Sequence, residues 1–192
     1  MLLENRLVLI LASASPRRQE LLREAGIPFE VHAANINEDQ IAGETPLEYA
    51  RRLSREKAEA VAAIYPQRYV LGADTIVVVE EQILGKPRDE ADAARMLRLL
   101  SGRSHCVITG VCLMGPGFVD VRSESTVVSV SKLSEQDISS YVATGEPMDK
   151  AGAYAIQGIA SRWISRLEGD YFNVVGLPVG LVYGMLKEHG WR

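Results

Sequence analysis

Residues 7–26 read LVLILASASPRRQELLREAG, and this stretch decides the fold class. Leu7–Ala12 is a continuous apolar run, the pattern of a strand covered on both faces. Ser15-Pro16 then sets a capping hydroxyl before a proline suited to a first helical turn, and Gly26 is a natural stop. The same alternation continues outward. Phe29–Ala33 suits a short strand and is followed by the polar, acidic loop AANINEDQ. Thr45-Pro46-Leu47-Glu48 has capping-box spacing and opens a long helix to about Tyr65. Tyr69–Glu80 reads as a strand with Gln82–Leu84 as its hairpin partner, and Asp89–Leu100 as a helix ended by Ser101-Gly102. SHCVITGVCLMG is one further strand, which the turn Met114-Gly115-Pro116-Gly117 joins to the next. Ser134-Glu135-Gln136-Asp137 caps a helix to Thr144. Two glycine-punctuated segments and a closing helix from about Val179 complete the chain. The sum is an α/β protein with a mixed twisted sheet and flanking helices; without repeat or linker, residues 1–192 are expected to form a single domain.

Composition narrows the function. The chain has 21 Lys+Arg against 25 Asp+Glu, a formal charge of −4, and 47% apolar residues. A globular protein is expected, without the surplus of cations on which general duplex-DNA affinity rests. No apolar run reaches the roughly 18–20 residues needed to span a bilayer. Acidic Glu4 and the continuation into Ser-Pro-Arg-Arg argue against a signal peptide, so a soluble cytoplasmic protein is expected, with no nucleic-acid and no membrane partner. Cys106 and Cys112 lie on one face of one strand, about 20 Å apart and beyond disulfide reach. They read as small core residues. His32, His105 and His189 are scattered and form no zinc pattern.

Several polar residues stand where they are costly. Arg17 and Arg18 in a first helical turn oppose the helix dipole, which makes sense if an anion is shared with backbone N–H groups and the Ser13 or Ser15 hydroxyl. A solvated surface pair is the alternative. On the long helix, Ala50, Leu53, Val61 and Ile64 form an apolar stripe and Lys57 fills a place in it. Its ammonium either snorkels at the edge or enters a cleft. Asp74 sits inside Val70–Val79, where a buried carboxylate costs several kcal/mol unless a cation or a full set of hydrogen bonds meets it. Glu38 belongs to the acidic loop, and a plain solvated charge is its alternative. Lys86 follows Gly85 in a turn, while Lys150 and Gln157 flank an apolar, strand-like piece, AGAYAI. Together these are cations and acids of the kind that hold a polyphosphate and a divalent metal.

LASASPRRQELL, REKA, GADTIV, GKP, HCVITGV, DKAGAYAIQG and GDYFNVVGLP occur in that order, and on them the chain resembles the Maf family of nucleoside triphosphate pyrophosphatases from about Leu9 to the end. The resemblance implies hydrolysis of a nucleoside triphosphate to the monophosphate and pyrophosphate with Mg²⁺ or Mn²⁺. It also implies two lobes around a cleft, a fold similar to that of inosine triphosphate pyrophosphatases, and a homodimer. By it, Asp74 matches the catalytic aspartate that accepts a proton from the attacking water. Ser13, Arg17, Arg18, Lys57, Lys86 and Lys150 match substrate-contacting positions, and Glu38, with Asp74, an acidic position near the metal. Asn37 stands where an acidic residue is commoner. Arg17, Thr75 and Gln157 are similar to the branch acting on dTTP and UTP, whereas Trp, Gln and Glu mark the branch acting on 7-methyl-GTP. House-cleaning of modified nucleotides and a link to cell-division arrest are further implications. A non-catalytic nucleotide-binding regulator, or a pyrophosphatase for another modified nucleotide, are the competing readings.

Overall fold

A computed structural model describes residues 8–191. Their strands and helices form a mixed α/β fold with a seven-stranded sheet. The chain divides into two compact units: residues up to Asp74 with 109–124 and 176 onward, and Thr75–Ile108 with Ser125–Val175.

The first unit is built on β1 (Leu9–Leu11), α1 (Pro16–Glu24), β2 (Phe29–Val31) and α2 (Pro46–Ala62). β1 is fully buried and runs parallel to β2, with Leu9 opposite Phe29, and to β3 (Val70–Val79), with Ile10 opposite Val70. That double pairing explains the unbroken apolar run, because a strand with a neighbour on each side and layers above and below has no wet face. Leu7 lies outside the described residues. α1 begins as expected, with the Ser15 side chain accepting from Arg18 N–H and Pro16 at the first helical position. The Thr45–Glu48 capping box is complete, and α2 ends at Ala62, so Ile64 falls beyond the helix and is 56% exposed. β5 (Ser104–Gly115) and β6 (Phe118–Val130) start or end in this unit, and α6 (Val179–Glu188) closes it, with Tyr69 Oη donating to the His189 carbonyl at 2.6 Å.

Two glycines let α2 lie against the strands. A Cβ on Gly72 would collide with the Ser54 carbonyl and the Ala58 amide, and one on Gly110 with the Ala50 carbonyl. Both obstacles are backbone, which cannot rotate away. Gly72→Ala is therefore expected to cost at least about 1–3 kcal/mol through overpacking. That would lower the unfolding midpoint by roughly 2–4 °C for each kcal/mol. Thermal unfolding followed by circular dichroism checks this, and an unchanged midpoint would contradict the close packing.

The second unit holds β4 (Gln82–Leu84), antiparallel to β3 as the hairpin expectation had it, with α3 (Glu90–Leu100), α4 (Glu135–Val142), β7 (Ile164–Glu168) and α5 (Tyr171–Val175). β7 pairs antiparallel with β6. Its core gathers Val77, Leu84, Met96, Leu97, Tyr141 and Trp163. The Lys150–Gln157 segment differs from expectation. It contains no strand but a 3-10 turn over Ala151–Ala153, because Gly152 (φ 68°) and Ala153 (φ 60°) both take left-handed backbone that breaks a strand. The cysteines are both free; Cys112 is buried, while Cys106 is only half-buried.

His105 is buried in this unit, with Nε2 2.7 Å from Tyr154 Oη and Nδ1 without a partner among the described residues. Burial pushes its imidazole down to about 4 from an ordinary value near 6.5. Between those two values the unfolded chain binds a proton that the folded chain refuses, so stability is lost as pH falls from about 6.5 towards 4. Linkage puts the full effect at about 3 kcal/mol. Urea unfolding of wild type and His105→Gln at pH 7 and pH 4.5 checks this. The mutant should lose less stability across that interval, and equal losses would contradict a neutral buried imidazole.

Candidate active site

In the first unit the expected residues converge. α2 carries Lys57 on its buried face at 8% exposure, so its ammonium goes inward rather than to the edge. Lys57 Nζ lies 2.7 Å from Asp74 Oδ1 and 2.8 Å from Glu38 Oε1. One ammonium thus bridges a buried carboxylate in β3 and a largely exposed one in the acidic loop, which sets aside the snorkelling alternative for Lys57. Asp74 is 7% exposed, and Lys57 is the cation that its burial requires. Among the described residues its Oδ2 accepts no hydrogen bond.

Ser13, in the turn after β1, is buried. Its Oγ accepts from Arg18 Nη1 at 3.0 Å and from Ser15 N–H at 3.2 Å, which leaves its own O–H proton for an outside acceptor. Arg18 is buried and also donates from Nε to the Gly176 carbonyl at 2.8 Å. Burial lowers its pKa from the usual value, opposed by the nearby Asp74 charge, while Arg17 lowers it further and Glu38 raises it. Those influences place Arg17, Glu38 and Asp74 each within electrostatic reach of Arg18. Two of its donors are thus engaged within the first unit, on Ser13 and on the residue 176 carbonyl. Arg17, half-buried, stands beside it in the first turn of α1.

Sequence reasoning missed what holds Glu38. Tyr49 Oη donates to the Glu38 carbonyl at 2.7 Å, and Arg52 Nη2 to the Asp39 carbonyl at 3.0 Å. Arg52 also forks onto Glu44, with Nε 2.7 Å from Oε1 and Nη2 2.9 Å from Oε2. α2 thereby fastens the acidic loop at three points. Burial, reinforced by the Asp74 and Glu38 charges, pushes the Tyr49 phenol up to about 12, so it remains a donor. The available signal was the Tyr49 and Arg52 spacing of one helical turn on the helix that follows the loop.

The second unit carries the other four. Thr75 is half-buried in β3, and Lys86 and Gln157 are exposed. Lys150 Nζ lies 2.6 Å from both the Glu146 carbonyl and Asp149 Oδ1. The Gly152 N–H donates to the Gly85 carbonyl at 3.0 Å, which sets the turn of Lys150 beside that of Lys86.

The arrangement suits a hard cation and an anion. Oδ1 of Asp74 and Oε1 of Glu38 already converge on one positive nitrogen, so both face a site of positive charge. Among the described residues no group of three or more His, Cys, Asp or Glu is gathered for a metal. The protein offers two carboxylates, which matches Mg²⁺ bound by one or two carboxylates and completed by phosphate oxygens and water.

A family profile described as "Maf-like protein" matches residues 8–189. The chain belongs to the Maf family. It is 59% identical over 182 residues to a "dTTP/UTP pyrophosphatase" of Koribacter versatilis, a match covering 95% of this chain and 94% of the relative. It is 54% identical over 183 residues to a "dTTP/UTP pyrophosphatase" of Symbiobacterium thermophilum, covering 95% and 94%. Among solved structures, the Ham1 protein of Staphylococcus aureus shares the fold, with a TM-score of 0.53 and 16% identity over 94% of this chain and 98% of that one. Among the described residues no helix of this Maf protein is long and apolar enough to cross a membrane.

Proposed function

We propose that this Maf protein is a cytoplasmic nucleoside triphosphate pyrophosphatase that hydrolyses dTTP and UTP to the monophosphate and pyrophosphate, its 192 residues acting as one domain. The Glu38–Lys57–Asp74 cluster carries the reading, since two carboxylates and a buried ammonium in one place suit a metal-bearing polyphosphate. Asp74 is the base, with Oδ1 fixed by Lys57 and Oδ2 available for the water proton. Water adds to the α-phosphorus, the bond to the bridging α–β oxygen breaks, and pyrophosphate leaves with that electron pair. Glu38 and Asp74 would hold Mg²⁺ or Mn²⁺, which supplies neutralisation of phosphate charge when bound. Lys57, Arg17, Lys86 and Lys150 contact phosphates and the Ser13 hydroxyl donates to one of them, with Arg18 keeping Ser13 in place. Each charge-assisted hydrogen bond contributes about 1.5–3 kcal/mol. Thr75 and Gln157 face the base, the amide of Gln157 offering one donor and one acceptor to the O4/N3–H edge of thymine or uracil.

The test is pyrophosphate release from dTTP, UTP, CTP, dGTP, 7-methyl-GTP and pseudouridine triphosphate, with Mg²⁺, with Mn²⁺ and with EDTA. Metal-dependent release from dTTP and UTP is expected. Activity confined to 7-methyl-GTP would overturn the Arg17, Thr75 and Gln157 assignments but keep the chemistry. Tight nucleotide binding without release would replace the enzyme by a nucleotide-binding regulator.

A further inference from the structure

We propose that Glu146 is a positioning residue that fixes the turn carrying Gln157, and so sets base discrimination without touching the substrate. The inference rests on Gln157 as the base reader. Glu146 opens the 3-10 turn Glu146–Asp149, just after Gly145 in left-handed backbone (φ 74°). Its Oε1 accepts from the Ile159 N–H at 3.0 Å and from Tyr141 Oη at 3.0 Å. A Cβ on Gly158 would collide with this carboxylate, so the absence of a side chain there is what lets Glu146 reach the turn.

Tyr141 in turn fixes the carboxylate. It is fully buried in α4, and its phenol donates to Glu146 Oε1. Burial and the adjacent Glu146 charge raise the phenol well above its ordinary value, which keeps the proton on Tyr141 and the carboxylate as acceptor. Residue 159 is therefore tied to the Glu146–Tyr141 pair, and Gln157, two positions before it, is exposed. Glu146 is itself anchored, its N–H donating to Thr144 Oγ1 at 3.2 Å while that hydroxyl donates to the Tyr141 carbonyl at 2.6 Å. Its own carbonyl accepts from Lys150 Nζ, so a shift of Glu146 displaces a phosphate-contacting lysine as well as the base reader. No substrate contact is required of the Glu146 carboxylate, because both of its partners are protein groups.

The test is steady-state kinetics on UTP and CTP for wild type, Glu146→Ala, Glu146→Gln, Gln157→Ala and the Glu146→Ala/Gln157→Ala double variant, with thermal unfolding of each. Glu146→Ala should lower the UTP-over-CTP ratio of kcat/KM by about tenfold, mostly through KM. Gln157→Ala should lower the ratio by a similar factor and the double variant by no more, because the two act on one contact. Glu146→Gln should restore the ratio, since an amide oxygen accepts the same two bonds. A ratio lost in Gln157→Ala but kept in Glu146→Ala overturns the positioning role. A ratio kept in Gln157→Ala overturns the base-reading assignment underneath it. If Glu146→Ala is not folded at the assay temperature, Tyr141→Phe, which removes only the hydroxyl donating to Oε1, decides instead: a ratio lowered severalfold supports the role, and an unchanged ratio overturns it.

Discussion

Asp74→Asn is expected to reduce kcat for dTTP and UTP by about 10³-fold, within the 10²–10⁴ range of general-base catalysis and equivalent to about 4 kcal/mol of barrier. KM should change little, because the amide fills the same space and its oxygen still accepts from Lys57. The fold should survive for a reason visible in the site. Removing one partner of a buried ion pair is ordinarily costly, about 3–5 kcal/mol, because it strands the other charge. Here the Lys57 ammonium keeps a second carboxylate, Glu38, at 2.8 Å. Rapid-quench or steady-state pyrophosphate release with a thermal melt of the same sample separates the two effects. Full turnover in Asp74→Asn would remove Asp74 as the base, whereas lost turnover with a collapsed melting transition would assign it a structural role.

The parts of this molecule legible in the sequence are those fixed by local rules. The Ser15 cap with Pro16, the Thr45–Glu48 and Ser134–Asp137 capping boxes, and the long β5 strand arise from contacts within a few residues, and each is found where its signal stands. Lys57 shows where such rules stop. Its place in an apolar stripe fixes the face of α2 on which it lies, but not whether the end of a four-carbon stem turns to water or inward. That is decided by Gly72, which brings the helix close to β3, and by Asp74 beneath it. Tyr49 and Arg52 give only a weak signal, their spacing of one turn, for a related reason: on a helix they look like a solvated polar face, and their partners are carbonyls of a loop without regular register. The run after Lys150 is a 3-10 turn and not the strand its apolar residues suggest, because Ala153 adopts positive φ, which residue type does not announce. Glu146 carries no local signal, since its bonds reach 13 positions along the chain to Ile159.

Lys57→Met separates two roles of the same ammonium. The substitution keeps the length and apolar stem and removes the charge, so α2 should pack much as before. Two carboxylates that share one cation then face each other without it. For catalysis the expected result is a loss of about 10²–10³-fold in kcat/KM, since Asp74 is no longer oriented and a phosphate contact is gone. For metal binding the sign is opposite. In the wild type the ammonium stands within hydrogen-bond reach of both oxygens that would serve a divalent cation, and a positive charge there opposes a second one. Without it, Mn²⁺ alone should bind more tightly, by about tenfold or 1.4 kcal/mol, as measured by electron paramagnetic resonance titration of the nucleotide-free protein. Tighter metal binding together with impaired turnover would identify Lys57 as a group that holds the carboxylates ready and must make way for the cation. Weaker metal binding together with impaired turnover would instead mean that the ammonium is needed to gather Glu38 and Asp74 at all, and would make the cluster a structural ion pair first and a metal site second.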